Sequence, residues 1–122
     1  MKNVRSVIIL LFLLLGATAF GQEKISSDEY FLEGVRHYNE QEWETAKTLL
    51  IKATQENPEN DAAFYYLALS YYQLKDVQGC EAYLQKAQEM DPSNFWYRIR
   101  LAQFYADTQN MEKAIALYEE IA

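Results

Sequence analysis

The chain has 122 residues, room for one domain, with 11 lysines and arginines against 18 aspartates and glutamates and a formal charge of −7. With Lys2 and Arg5 set aside, the stretch from Gln22 onward keeps 9 bases against all 18 acids and carries −9, which disfavours nucleic-acid phosphates and anionic lipid as partners. A single cysteine, Cys80, and a single histidine, His37, exclude an intrachain disulfide, a Cys-rich metal site and a two-histidine metal pair, while 4 glycines and 2 prolines are too few for a turn-rich β fold.

Residues 1–21 read as an address. Lys2 and Arg5 give a basic start, Val7 to Leu15 an unbroken apolar run, and Gly16 to Gly21 a stretch rich in small residues. This is the order of a secretory signal peptide. Cleavage fits after Ala19 or after Gly21, the second leaving Gln22 at the new end. The uncharged stretch from Ser6 to Gln22 is at the short edge for a membrane span, so an uncleaved anchor is the alternative. Residues 22–26 read as a short linker.

From residue 27 onward the chain repeats itself at one fixed step, the step that carries Pro58 to Pro92. The same step carries Gly34 to Ala68 to Ala102, and Ala46 to Cys80 to Ala114, all small. It carries Leu50 to Leu84 to Tyr118, all bulky, and Trp43 to Val77 to Met111. His37 maps to Tyr71 and Tyr105, and Tyr30 to Phe64 and then Arg98. Units of about 27–60, 61–94 and 95–122 follow. Phe64, Leu67, Ala68, Tyr71 and Tyr72 recur at helical spacing, and so do Val77, Cys80, Leu84 and Ala87. The spacing predicts helices over 28–40, 43–56, 61–74, 77–90, 95–107 and 111–122. Asp61 and Asn94 are predicted N-caps, and the segments around Pro58 and Pro92 close the first two units. The small residues mark where the two helices of a unit approach closely, and their bulky neighbours fill the space around. The expected fold is all-α: three tandem helix-turn-helix units after an N-terminal signal peptide.

The pattern resembles the tetratricopeptide repeat family. Its motif is a large apolar residue, Leu and a small residue, an aromatic, then Ala, an aromatic or Leu, and Pro. The second unit shows Phe64, Leu67, Ala68, Tyr71, Cys80, Leu84 and Pro92 in those places. The first departs at Glu33 and His37, and the third at Arg98. The resemblance implies a solenoid whose first helices line a concave groove. Phe31, Val35, Tyr38, Tyr65, Leu69, Tyr72, Trp96, Ile99, Arg100 and Gln103 are then expected to face it. Some members of the family hold an acidic peptide terminus there with a clamp of lysines and asparagines. Here the corresponding places carry Phe31, Val35, Tyr66 and Trp96, and Arg100 is the one base, so that clamp is not expected. The third unit ends before its expected proline. An apolar strip around Ile115, Tyr118 and Ile121 is therefore expected to stand open on the last helix.

No catalytic constellation emerges. His37 falls at an aromatic position of the repeat and Cys80 at an alanine position, so both read as packing residues. Glu40, Glu42 and Glu44 cluster at a turn, without the oxygen-rich, glycine-bearing spacing of a calcium loop. There is no Gly-rich phosphate loop and no nucleophile elbow. No cofactor and no metal is expected. The sequence reading is a non-catalytic protein-interaction module outside the cytoplasm, in the bacterial periplasm. It would bind an extended peptide or partner helix in an aromatic groove, with no nucleic acid and no membrane after signal cleavage. Two alternatives stand beside it. One is the N-terminal repeat part of a longer exported enzyme or envelope-assembly protein. The other is a structural protein self-associating through its last helix.

Overall fold

A computed structural model of the chain describes residues 26–121. The leader read from residues 1–21, its cleavage points and residues 22–25 lie outside the described residues. Six helices follow one another: α1 (Ser27–Asn39), α2 (Trp43–Glu56), α3 (Asp61–Gln73), α4 (Val77–Met90), α5 (Phe95–Asp107) and α6 (Met111–Ile121). Every predicted helix is present, with ends within one residue of those expected. There is no strand among the described residues, and no helix there is long and apolar enough to cross a membrane.

Two kinds of turn join the helices. Within each unit the chain turns through a residue in the left-handed region: Gln41 at φ 63, Lys75 at φ 67 and Gln109 at φ 64. Around Gln41, its own amide donates to Tyr38 O at 3.0 Å and the Glu42 amide to His37 O at 2.9 Å. Lys75–Asp76 and Gln109–Asn110 repeat both bonds. This is the Schellman ending, which satisfies the last carbonyls of the first helix. Between units the chain turns through Asn57-Pro58-Glu59-Asn60 and Asp91-Pro92-Ser93-Asn94. Each closes with an amide-to-carbonyl bond, Asn60 to Asn57 at 3.3 Å and Asn94 to Asp91 at 3.1 Å. Proline suits the second place of such a turn because its φ is already set.

The caps correct one sequence expectation. Asn94 does cap α5, its side chain accepting from the Trp96 amide at 3.1 Å. The cap of α3, however, is Asn60, which accepts from the Ala63 amide at 3.2 Å. Asp61 is the first helical residue instead. There its carboxylate accepts a 2.7 Å hydrogen bond from the Tyr97 hydroxyl on α5 and ties the second unit to the third. Two adjacent cap formers compete for one position, and the proline turn places the first of them on the orphan amides.

The core follows the small residues. Ala46, Leu50 and Leu67 form one buried cluster, with Phe31, Tyr38 and Tyr66 packed on it. Ala68, Cys80, Leu84, Leu101, Phe104, Tyr105 and Ala114 form a second, shared by the second and third units. At Gly34 the helices of the first unit leave no room for a side chain. A Cβ built there would lie 2.7 Å from Leu50 Cγ and 2.8 Å from Leu50 Cδ2. Leu50 is fully buried and cannot step aside.

Two stability outcomes follow from these features. Gly34→Ala forces the Leu50 contact and is expected to cost about 1–3 kcal/mol, read as a lowered urea midpoint. Lys75→Gly removes the left-handed penalty of a side chain and is expected to raise that midpoint, by no more than about 1 kcal/mol once unfolded-state entropy is subtracted.

Candidate functional site

Because each first helix packs on its own second helix, α1, α3 and α5 fall side by side and present one wall. Two adjoining recesses open on it. The first holds about 100 Å³ and is bounded by Tyr38 of α1, Leu69, Tyr72 and Gln73 of α3, and Arg100, Gln103, Phe104 and Asp107 of α5. Its floor is Cys80 and Leu84 of α4, seen through the gap between α3 and α5. The second is wider, about 330 Å³, and is bounded by Tyr65, Trp96, Ile99, Arg100 and Gln103. Arg100 and Gln103 form the shared edge.

Eight of the ten residues expected on the groove line one or both recesses: Tyr38, Tyr65, Leu69, Tyr72, Trp96, Ile99, Arg100 and Gln103. Phe31 and Val35, half-buried on α1, line neither. Phe31 packs edge-on against Tyr66 at 6.2 Å, and Tyr66 in turn meets Tyr38 at 5.6 Å and Tyr65 at 5.5 Å. The aromatic wall is thus continuous behind the recesses, and it ends at Tyr65 against Tyr97 at 5.1 Å. Trp96 is the outlier in exposure, with 65% of its surface in solvent. Its ring packs against that of Phe95, with the centroids 4.8 Å apart.

The electrostatics of the wall are sparse. Arg100 donates from Nε to the Tyr65 hydroxyl at 3.3 Å, and among the described residues no carboxylate pairs with it. Asp107, seven residues further along α5, accepts a long 3.4 Å hydrogen bond from the Tyr72 hydroxyl. Burial pushes the Tyr38 phenol upward, so it stays a neutral donor at physiological pH. The sequence reading did not name Gln73, Cys80, Leu84, Phe104 or Asp107 as groove residues. Asp107 could have been found at four residues from Gln103 on the same helix face. The α4 floor had no signal in the sequence, because it shows only through the spacing between two other helices.

The turn cluster around His37 is closed rather than open. His37, Glu40 and Glu42 lie near enough together to suggest a cation site. The imidazole Nδ1 lies 3.1 Å from Glu42 Oε2, and Nε2 lies 3.1 Å from an Arg36 guanidinium nitrogen. A carboxylate cannot donate and a guanidinium cannot accept, which assigns the proton to Nδ1 and gives the Nε2 lone pair to Arg36. Arg36 also bridges Glu33 at 2.7 Å and Glu40 at 3.0 Å, and it holds the Glu33 carboxyl below its usual range. The positive centre of this cluster is already supplied by the protein. His37 is therefore a polar turn partner, where the sequence suggested simple packing. Glu42, at the N-cap position of α2, makes no side-chain cap bond.

Cys80 is 1% exposed. Burial first, then the charge of Glu81, pushes its thiol up to about 12. On α6, Ile115 and Tyr118 are 51% and 44% exposed, while Ile121, the third residue of the expected strip, is half-buried.

A tetratricopeptide repeat family model matches residues 31–95 and 81–122. No curated protein sequence matches the chain. Among solved structures, MamA is 18% identical with a TM-score of 0.73, over 77% of this chain and 55% of that one. This chain therefore spans about half the length of that relative. The TPR2B domain of yeast Sti1 in complex with pHsp70 is 22% identical with a TM-score of 0.72, over 76% and 74% of the two chains. The first TPR of Spaghetti (RPAP3) bound to the HSP90 peptide SRMEEVD is 19% identical with a TM-score of 0.71, over 77% and 75%.

The thiol gives a pH test. An unfolded cysteine ionises near 8.5, so the native state loses stability as pH climbs from there toward about 12. A series of urea midpoints should fall over that window. Cys80→Ala, which installs the residue of the other two units, should remove the part of the fall that begins near pH 8.5. An identical decline in both proteins would contradict the assignment.

Proposed function

The chain belongs to the tetratricopeptide repeat family, and from that premise we propose that it is a non-catalytic interaction module that binds an extended segment of another protein along the wall of α1, α3 and α5. The observation that carries this reading is the open recess around Trp96, Tyr65 and Arg100, backed by a continuous row of aromatics. Rigid aromatic surface with a few polar groups at its edge is what an extended apolar or proline-containing segment needs: contact area at low entropic cost, and hydrogen-bond partners for its backbone. Two solved relatives of this fold hold partners named in their descriptions, an HSP90 peptide and pHsp70. The groups on this wall differ in kind from a row of lysines, so the segment proposed here is apolar, proline-bearing or mildly basic, not acidic.

The place of action is proposed outside the cytoplasm, in a bacterial periplasm, and rests on the basic, apolar and small-residue order of residues 1–21. N-terminal sequencing of the exported protein should read from Phe20 or Gln22. Met1 retained in the membrane fraction would favour the anchor instead. A second reading, self-association, is favoured by the open strip of Ile115 and Tyr118 on α6. Sedimentation should then show mass rising with concentration, and Ile115→Glu should abolish the rise.

For the groove itself, the double change Tyr65→Ala and Trp96→Ala is expected to weaken capture of peptides from a displayed library by at least about 10-fold, given the roughly 2 kcal/mol or more carried by central aromatic anchors. Far-UV circular dichroism should stay unchanged. Equal capture by the altered protein would end the groove reading.

A further inference from the structure

We propose that the narrow recess between α3 and α5 is a subsite for one lysine or arginine side chain of the bound segment, with Asp107 as the group that selects it. The proposal rests on the groove reading above and adds to it the chemistry of one residue of the partner.

The recess has the size of a side chain. Its volume of about 100 Å³ is below the ~300–1,000 Å³ of a small-molecule pocket, so it suits one residue rather than a free ligand. Its depth is apolar, with Leu69 on the wall and Phe104, Leu84 and Cys80 buried beneath, while Tyr38, Tyr72, Gln73, Arg100 and Gln103 give it polar edges. One carboxylate, Asp107, stands on its rim. That carboxylate is exposed and under-used. Its one hydrogen bond among the described residues is the long one from Tyr72, and no cation of the chain lies within salt-bridge distance there. Arg100 does not neutralise it. Arg100 lines the same recess, but it makes no ion pair with Asp107 among the described residues, and its Nε is turned to Tyr65.

An apolar slot ending in an unpaired carboxylate matches one class of side chain. Lysine and arginine carry several methylenes that bury well and a cation that must stay hydrated or paired. The stem lies on Leu69 and Phe104, and the head reaches Asp107 as a charge-assisted donor. A leucine or phenylalanine would fill the slot but leave Asp107 as before. An acidic residue would meet like charge. The body's charge of −9 acts in the same direction at longer range, drawing basic segments in at low salt. The wall then has a polarity: a cation-seeking end at Asp107 and an anion-tolerant end at Arg100, which sets the direction in which a segment lies.

The test uses the full chain against a displayed library of random nine-residue peptides. Captured sequences should share one lysine or arginine at a fixed distance from an aromatic or proline. In the tightest of these peptides, replacing that residue by norleucine keeps the stem and removes the charge. Affinity should fall about 10-fold. Asp107→Asn should cause the same fall with the original peptide, and the two changes together should fall no further. Asp107 is exposed, so circular dichroism should be unaltered. Peptides captured through Trp96 without a fixed basic position overturn the subsite and leave the groove standing. So does an Asp107→Asn protein that binds the lysine peptide as before. A library that yields no peptide, or capture indifferent to Tyr65→Ala and Trp96→Ala, overturns the groove and the subsite together.

Discussion

The rest of the structure depends on how closely the two helices of each unit approach. Gly34, Ala68 and Ala102 on the first helices, and Ala46, Cys80 and Ala114 on the second, keep side-chain bulk out of the contact. Around Gly34 the margin is gone, with Leu50 occupying the space a methyl would need. Close approach buries Leu50, Leu67 and Leu84 completely, and each such leucine contributes about 1.5–3 kcal/mol. It also fixes the angle at which the helices leave the contact. Because the small residues recur at one step in every unit, the first helices come to line one wall. The groove is thus a consequence of the core and needs no stabilisation of its own.

The turns bring a second constraint that the sequence hides. A Schellman ending favours glycine at its left-handed residue, yet this chain carries Gln41, Lys75 and Gln109 there, at the same step that relates Pro58 to Pro92. Reading glycines would have missed all three. The helix ends were legible anyway, because the apolar spacing lapses at Gln41, Lys75 and Gln109 whatever occupies them. The competition at Asn60 and Asp61 was not legible. Either residue can cap a helix, and only the closing of the proline turn decides between them. The loser, Asp61, became a partner for Tyr97, and such a contact across 36 positions leaves no local trace.

The same division runs through the groove. A helical face is a matter of period, so Tyr65, Leu69 and Tyr72, or Trp96, Ile99, Arg100 and Gln103, could be placed together from spacing alone. The floor could not. Cys80 and Leu84 are each 1% exposed and only floor the recess from beneath, and where that recess opens is set by the side chains of two units at once. Phe31 and Val35 mark the other edge of what spacing can say. They share the face, but Tyr66 stands between Phe31 and Tyr65 and the recesses begin beyond it.

The floor also explains a tension in the site. Cys80 sits on the floor of the recess, and an ionised, accessible thiolate there would be reactive. Burial answers it by keeping the thiol protonated far above neutral pH. The rim above that dry floor is in water, since Asp107 is exposed, so a charge interaction there is screened. Asp107 stands at that rim with one long hydrogen bond, 3.4 Å, from the Tyr72 hydroxyl. Asp107 is exposed and stays hydrated whether the slot is full or empty, so under the proposal a partner that brings no cation forgoes an ion pair and buries no unpaired charge. Under the proposed subsite, selectivity in this wall would come less from the aromatics, which would hold many apolar segments alike, than from the single charge that the segment must answer.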